Sequence, residues 1–238
     1  MDRSSHPPAL ALAGITVTVT DGSASRTILD EVSIAVWRGE MVAVMGPSGA
    51  GKSTLIDVCC GLVTPTAGRI SLGNRAPSVL STSWWSDRRR DTIGVIHQRL
   101  NLLHGLTALD NVALSLDLLG RPHRAARAAA RLALDRVGIA HVADTPAARL
   151  SVGEQQRVAI ARGIVGDRPI LLADEPAAAL DRTAADQTTE LLADLAVEGR
   201  AILLVTHDSQ QASWAGRTVL LRDGIVTDEI RPAPSGRP

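Results

Sequence analysis

The 238-residue chain carries 25 basic and 25 acidic side chains, and this zero formal net charge indicates neither a nucleic-acid nor a polyanion partner. Apolar residues make up 45% and charged residues 21%, which is typical of a soluble globular protein with a substantial core. The uninterrupted apolar runs are strand-sized, as at 201–205, whereas a membrane-spanning helix needs about 20 apolar residues. We therefore expect a single domain at 10–230 between flexible tails at 1–9 and 231–238. If this domain works at a membrane, it does so through a partner protein.

Most of the first hundred residues show the alternating or β-branched-rich sequences that are typical of β-strands. Strands are predicted at 10–20, 27–37, 41–45, 69–72 and 92–97. A turn at 21–25 would join the first two strands into an antiparallel pair. After the third strand, a glycine-rich turn leads into a helix predicted at 52–60, which Gly61 ends. This part of the chain predicts an antiparallel β subdomain and the start of an α/β core.

From about 107 to 163 the apolar spacing changes to the 3.6-residue period of helices. Leu109, Val112 and Leu116 follow this period, and a second helix is predicted at 123–137. The strand–helix alternation then returns, with strands predicted at 170–173, 201–206 and 218–221 and a helix at 183–197. The whole pattern predicts an α/β fold with a mixed sheet, an antiparallel β subdomain and an inserted helical subdomain at about 99–163.

A glycine-rich motif lies between the third predicted strand and the first predicted helix. It matches G-x-x-x-x-G-K-[ST], which binds phosphates when it joins a strand to a helix. The glycines let successive backbone N–H groups and the helix N-terminus face the phosphates. Lys52, the only lysine of the chain, would reach the β- and γ-phosphates, and the Ser53 hydroxyl would coordinate Mg²⁺. The predicted nucleotide-binding residues of this loop are Gly46, Pro47, Ser48, Gly49, Ala50, Gly51, Lys52, Ser53 and Thr54.

Two neighbouring carboxylates follow the predicted strand at 170–173. An acid at the carboxyl end of a strand beside a phosphate loop is suited to hold Mg²⁺, and Asp174 occupies this position. Glu175 would then lie near the γ-phosphate and orient or deprotonate the attacking water. An Asp-Glu pair alone is usually a solvated strand end, so this assignment depends on the phosphate loop earlier in the chain.

Residues 150–162 read Leu-Ser-Val-Gly-Glu-Gln-Gln-Arg-Val-Ala-Ile-Ala-Arg. This stretch resembles the signature sequence of ABC ATPases, LSGGQ or LSGGE followed by QQRVAIAR. Other motifs occur in the family's order: Gln98 resembles the Q-loop glutamine, Asp181 the D-loop aspartate and His207 the switch histidine. The resemblance extends from about residue 12 to residue 229. On these motifs the chain is similar to the ATP-binding protein of an ABC transporter, a P-loop NTPase cassette.

The resemblance implies ATP hydrolysis with Mg²⁺ between two cassettes that pack head to tail. Each nucleotide would lie between the P-loop of one copy and the signature of a second copy or a paralogous cassette. The residues that would contact it from the signature side are Ser151, Gly153, Glu154 and Asp181. Gln98 would touch Mg²⁺ or the attacking water, while His207 would bind the γ-phosphate and help to position Glu175.

Two positions depart from the family pattern. Val19 stands where the family has an aromatic residue that stacks on adenine, and the chain contains no Tyr and no Phe. We therefore expect Val19 to offer only apolar contact and the recognition of adenine to be weak. Val152 replaces the first glycine of the signature, so the γ-phosphate contacts would depend on the flanking Ser151 and Gly153.

Residues 98–112 resemble the corresponding stretch of lipoprotein-releasing, macrolide-efflux and cell-division cassettes. In the family this stretch lines the groove that receives a permease. The resemblance thus implies a separate multi-span membrane permease as partner and a location at the cytoplasmic face of the membrane. Two alternatives stay open, namely a soluble ABC ATPase that serves a task such as cluster assembly and a cassette that hydrolyses ATP poorly.

One tryptophan-rich segment also permits a different reading. Trp84 and Trp85 precede three arginines at 88–90, and aromatic and basic side chains together can bind nucleic acid. An amphipathic helix before the strand at 92–97 is the favoured interpretation, because the chain as a whole is neutral. No nucleic-acid partner is expected.

Overall fold

The computed structural model describes residues 7–22, 24–75 and 82–231, so most of the two predicted tails, at 1–6 and 232–238, lies outside the described residues. Strands β1 (Leu10–Asp21) and β2 (Ala24–Val36) form the predicted antiparallel pair, and β4 (Ala67–Leu72) pairs with the other edge of β1. The turn between β1 and β2 is shorter than predicted, because Asp21 already pairs with Ala24. Cross-strand hydrogen bonds outweigh the preference of Asp, Gly and Ser for a turn, so composition alone misplaced these strand ends.

Within the described ranges, the central sheet has six strands and is parallel except at one edge. Its strands, in spatial order, are β5 (Ile93–Ile96), β6 (Ile170–Asp174), β7 (Ala201–Val205), β3 (Met41–Met45), β8 (Arg217–Arg222) and β9 (Ile225–Ile230). β6 and β7 are buried along their whole length, which explains their uninterrupted apolar sequences.

The antiparallel edge strand β9 has no counterpart among the predicted strands. Arg222 pairs with Ile225, so β8 and β9 are joined by a hairpin of two residues, Asp223 and Gly224. Both loop residues have positive φ, 48° and 79°, as the tight turn of a right-handed twisted hairpin requires. The Asp-Gly dipeptide was the local signal for this hairpin, because the mostly exposed β9 shows no alternation of apolar and polar residues.

Helices cover both faces of the central sheet. Their bounds are α1 (Lys52–Cys59), α2 (Thr82–Asp91), α3 (Ala108–Asp117), α4 (His123–Arg136), α5 (Val152–Ile164), α6 (Arg182–Val197) and α7 (Ser209–Ser213). Alternate side chains of β3 enter two different cores. Val42 and Val44 belong to the core that includes α1 and the antiparallel sheet, whereas Met41 and Ala43 belong to the core that α6, α7 and the inserted helices share.

The inserted helices α3, α4 and α5 lie between β5 and β6 in the chain. Their core is rich in alanine, with Ala126, Ala130 and Ala133 of α4 buried along one face. None of the helices in the described part of the chain is both long and apolar enough to cross a membrane. Because β3 and β6 run parallel in one sheet, the loops that follow them meet at the same edge, and the polar residues of the predicted site gather there.

Candidate functional site

The loop between β3 and α1 depends on its glycines. A Cβ on Gly46 would clash with the Leu221 carbonyl, and Gly49 has a positive φ of 82°. Gly51 has a φ of 99°, and a Cβ there would lie 2.8 Å from the Ile28 carbonyl oxygen. Gly51 also precedes α1 without a side-chain cap, so the first N–H groups of the helix remain available to an anion.

A cavity of about 670 Å³ opens above this loop. From the predicted site it is lined by Gly46, Pro47, Ser48, Gly49, Gly51, Lys52, Ser53, Thr54, Gln98, Asp174, Glu175 and His207. Ala50 is buried beneath the loop and does not line the cavity. The Lys52 Nζ donates hydrogen bonds to the Gly46 carbonyl at 2.8 Å and the Pro47 carbonyl at 2.9 Å. We refer to this cavity as the P-loop cavity.

Asp174 ends β6 as a buried carboxylate, only 6% exposed. Its Oδ1 is buried and has no hydrogen-bond partner within the described ranges, while Ser53 hydrogen-bonds to this side chain. Burial raises the pKa of Asp174, and the nearby Glu175 and Asp57 raise it further, whereas the Ser53 hydrogen bond lowers it. A buried carboxylate oxygen without a partner beside a hydroxyl suits a small hard cation, which would favour the ionised carboxylate again.

Glu175 follows Asp174 with an unusual backbone. Its φ is 48°, in the left-handed region that few non-glycine residues adopt, and its N–H donates to the Val205 carbonyl at 2.9 Å. Its side chain is 10% exposed, and Oε1 lies 2.8 Å from Nδ1 of His207. The imidazole itself is 71% exposed, so the pair combines a held carboxylate with a ring that can reach a ligand in the cavity.

The predicted signature residues lie on a different surface. Ser151 caps α5 through a capping box, because its hydroxyl accepts from the Glu154 N–H and the Glu154 carboxylate accepts from the Ser151 N–H. Ser151 hydrogen bonds also lower the pKa of Glu154. The Val152 side chain is 63% exposed, and a Cβ on Gly153 would meet Leu180 only at ordinary contact distance.

This signature surface borders a second cavity, of about 320 Å³. Ser151, Gly153, Glu154 and Asp181 all line it, and none of the four lines the P-loop cavity. The Asp181 carboxylate caps α6 by accepting from the Ala184 N–H at 2.9 Å. The structure therefore does not bring these residues to the P-loop of the same chain.

Helix α5 nevertheless contacts the loops that carry the residues of the P-loop cavity. The buried Gln156 donates to the Pro176 carbonyl at 2.7 Å, directly after Glu175. Arg162 donates to the carbonyls of Leu100 and Asn101, shortly after Gln98, at 2.6 and 2.7 Å. The helix that presents the signature surface is thus tied to both the Gln98 and the Glu175 segments.

Val19 does not line the P-loop cavity. It is 52% exposed on β1, directly opposite Arg26 of β2. Arg26 and Ile28 line the cavity instead, and neither was predicted. All four tryptophans of the chain fall in the described ranges, and none of them lines this cavity. The alternating pattern of β2 could have marked Arg26 as a surface residue, but its approach to the loop depends on how the two sheets pack.

The prediction also missed two charged neighbours of Asp174. Asp57 on α1 raises the pKa of Asp174, and His97 lowers it. Burial in turn lowers the pKa of His97 and raises that of Asp57. His97 lies between the end of β5 and Gln98, and this position was the available sequence signal that it belongs to the site. No local sequence signal indicated Asp57.

The tryptophan-rich segment forms helix α2. Trp85 is 3% exposed and packs over Gly61, where a Cβ would clash with its ring. Arg89 donates to the Cys60 carbonyl at 3.0 Å, at the end of α1. These contacts make Trp85 part of the core, and its ring is not available to stack on a nucleic-acid base.

Comparisons of the sequence and of the structure with known proteins lead to the same family. A family model described as ABC transporter matches residues 29–178. The macrolide export ATP-binding/permease protein MacB of Rhodospirillum rubrum is 38% identical over 97% of this chain, which spans 36% of that relative's length. MJ0796, a bacterial ABC transporter cassette solved as a dimer, is 36% identical, with a TM-score of 0.89 over 93% of this chain and 98% of that one.

A second structure of MJ0796, in a post-hydrolysis state with ADP and Pi bound, matches equally well, with a TM-score of 0.89. Together these matches confirm the predicted fold class and the predicted family resemblance.

Proposed function

The chain belongs to the ABC transporter family, and we propose that it is the ATP-hydrolysing cassette of a membrane transporter that works as a head-to-tail pair of copies. The observation that carries the proposal is the separation of the two half-sites. The P-loop cavity holds the phosphate-binding and carboxylate residues, whereas the signature surface borders another cavity of the same chain. A nucleotide in the P-loop cavity therefore meets a signature only if a second copy supplies it.

Nucleotide binding begins at the P-loop. The uncapped N-terminus of α1 faces the phosphates, and the Lys52 ammonium leaves its carbonyl partners for the β- and γ-phosphate oxygens. Ser53 and Asp174 would hold Mg²⁺ together with Gln98, which lines the same cavity. Bound there, the cation would neutralise the charge that develops on the phosphates.

Hydrolysis needs a water aligned with the γ-phosphate and a group that takes its proton. The left-handed backbone of Glu175 supports this role, and the His207 ring would keep its carboxylate oriented. The exposed His207 ring also reaches the γ-phosphate. A second copy closes the site with the Ser151 hydroxyl and the Gly153 N–H at the start of α5, where a helix N-terminus favours an anion.

Complementation between two inactive variants tests the paired arrangement. Lys52→Ala removes the P-loop ammonium, and Ser151→Arg places a bulky cation at the signature. In a head-to-tail pair that contains one copy of each, one site combines both defects and the other is intact. We expect each variant alone to be inactive and their mixture to regain ATP hydrolysis.

If the mixture stays as inactive as its components while both variants remain folded, each site lies within one chain and the paired mechanism is wrong. The circular dichroism spectrum of each variant provides the control for folding. Mixing each variant with itself at the same total concentration controls for changes in concentration.

The transporter part of the proposal depends on the segment after Gln98. Asn111 is buried and holds this segment with hydrogen bonds to the N–H and the carbonyl of Leu103, at 2.8 and 3.0 Å. Leu102 packs inside, but Leu103 is 51% exposed beside it. An exposed leucine on a firmly held loop fits an apolar contact with a membrane permease at the cytoplasmic face of the membrane.

Leu103→Asp tests this contact, with Val197→Asp as the matched control because Val197 is exposed at the end of α6. The readout is ATP hydrolysis of the complete transporter in membranes and of the purified chain. We expect Leu103→Asp to remove the stimulation by the permease and to leave the activity of the purified chain unchanged. Equal behaviour of the two variants would contradict a permease contact at Leu103.

A further inference from the structure

The P-loop cavity continues past the phosphate loop to β2. Leu29 pairs with Val17 and Thr27 with Thr18, so β2 carries one extra residue, Ile28, in a β-bulge. A bulge re-aims a side chain, and the half-buried Ile28 lines the cavity with its carbonyl beside Gly51. Arg26 lies two residues further toward the hairpin end, about 7 Å along the strand, and lines the same cavity.

Arg26 is a side chain without an evident structural task. It is exposed, and within the described ranges no hydrogen bond or ion pair engages its guanidinium. The carboxylates that line the cavity, Asp174 and Glu175, lie at the carboxyl end of β6 and not on β2. A planar cation beside an apolar side chain, at the end of a nucleotide cavity that no Trp, Tyr or Phe lines, is free to stack on a flat ligand.

We propose that the Arg26 guanidinium stacks on the nucleobase of the bound nucleotide, with Ile28 against the apolar side of the nucleoside. This inference rests on the proposed nucleotide-binding function of the P-loop cavity. The phosphates already have the α1 N-terminus and Lys52, and Ile28 stands between that loop and Arg26, so the base is the part that reaches Arg26. Stacking does not read the hydrogen-bonding edge of a base, so ATP and GTP bind with similar affinity.

The test compares ligands with and without a base by isothermal titration calorimetry. The proteins are the unchanged chain, Arg26→Ala, Arg26→Lys and Arg26→Trp; the ligands are ATP, GTP and inorganic tripolyphosphate, each with Mg²⁺. Arg26→Ala weakens ATP and GTP binding about 5- to 30-fold and leaves tripolyphosphate binding unchanged. Arg26→Trp restores nucleotide affinity because indole offers a flat face, and Arg26→Lys does not. Arg69→Ala is the matched control, since Arg69 is exposed on β4 of the same antiparallel sheet and does not line the cavity.

Three results overturn the inference. Equal losses for ATP and tripolyphosphate, or rescue by Arg26→Lys, assign Arg26 to the phosphates. Unchanged ATP binding in Arg26→Ala removes Arg26 from the site. Failure of the proposed function gives a different result. In that case the unchanged chain binds neither ATP nor tripolyphosphate, or the Lys52→Ala variant binds both ligands as well as the unchanged chain does.

Discussion

The P-loop cavity and the signature surface, which we propose as the two halves of a nucleotide site, are built in opposite ways. The P-loop half contains obligatory glycines, a helix N-terminus without a side-chain cap and a buried carboxylate oxygen without a partner among the described residues. In the signature half, Ser151 and Asp181 already cap their own helices. The P-loop half is arranged to bind a ligand. The signature half is a stable surface that needs only to be brought to that ligand by a second copy. Nucleotide binding and nucleotide hydrolysis should therefore separate by mutation.

The largest effect should come from Glu175→Gln, which leaves the P-loop half able to bind but unable to hydrolyse. An amide cannot take the water's proton, so turnover should fall about 10²- to 10⁴-fold, which single-turnover ATP hydrolysis measures. Nucleotide binding should persist, and size-exclusion chromatography with Mg²⁺-ATP should show a trapped pair of copies. Glu190→Gln, an exposed carboxylate on α6, is the control. Near-normal hydrolysis by Glu175→Gln would remove Glu175 as the base.

Lys52→Ala should damage the P-loop half itself. The ammonium would make charge-assisted contacts with the phosphates, each worth about 1.5–3 kcal/mol, so ATP affinity should fall about 10- to 100-fold. Calorimetry of the purified chain measures this without any second copy. Lys52→Arg should not recover binding, because a guanidinium fork is wider than the ammonium that fits between the Gly46 and Pro47 carbonyls. Full ATP affinity in either variant would contradict the role of the Lys52 ammonium in the P-loop half.

Ser151→Ala should leave ATP binding by the single chain intact and reduce hydrolysis and pairing, because it alters only the signature half. Loss of the cap should also lower the free energy of unfolding by about 1 kcal/mol. Thr107→Ala is the matched control, since Thr107 caps α3 in the same way, through the Asp110 N–H at 3.1 Å. Thermal denaturation and ATPase assays together separate the two effects. A parallel loss of activity in Thr107→Ala would assign the Ser151 effect to stability alone.

The smallest effect is expected for Val152→Gly. The valine side chain is exposed at the first position of α5, so its loss should change stability by only about 0.5 kcal/mol, and ATP binding by the single chain should stay unchanged. Combined with Glu175→Gln, it shows whether the valine hinders pairing. A clear gain of the paired form over Glu175→Gln alone would mean that Val152 obstructs closure, contrary to the expectation that Ser151 and Gly153 suffice.

The succession of neighbouring residues along the chain determined many structural features of this protein. The strand–glycine–helix succession predicted the phosphate loop, because the chemistry of such a loop depends on consecutive backbone groups. Buried parallel strands such as β6 and β7 were recognisable as short apolar runs. The spacing of the signature, with Glu154 three residues after Ser151, likewise contained its own capping box. These features need no distant contact to be recognised.

Only the tertiary structure decided which half-site each residue joins and what lines the end of the cavity. Arg26 and Ile28 reach the P-loop because the register of β1 and β2 puts a bulge at Ile28 and packs it on Gly51. Val19 lies one strand away at the same level and stays outside the cavity. Cross-strand hydrogen bonds and the packing of two sheets set these positions. Because they join residues far apart in the chain, no local pattern encodes them.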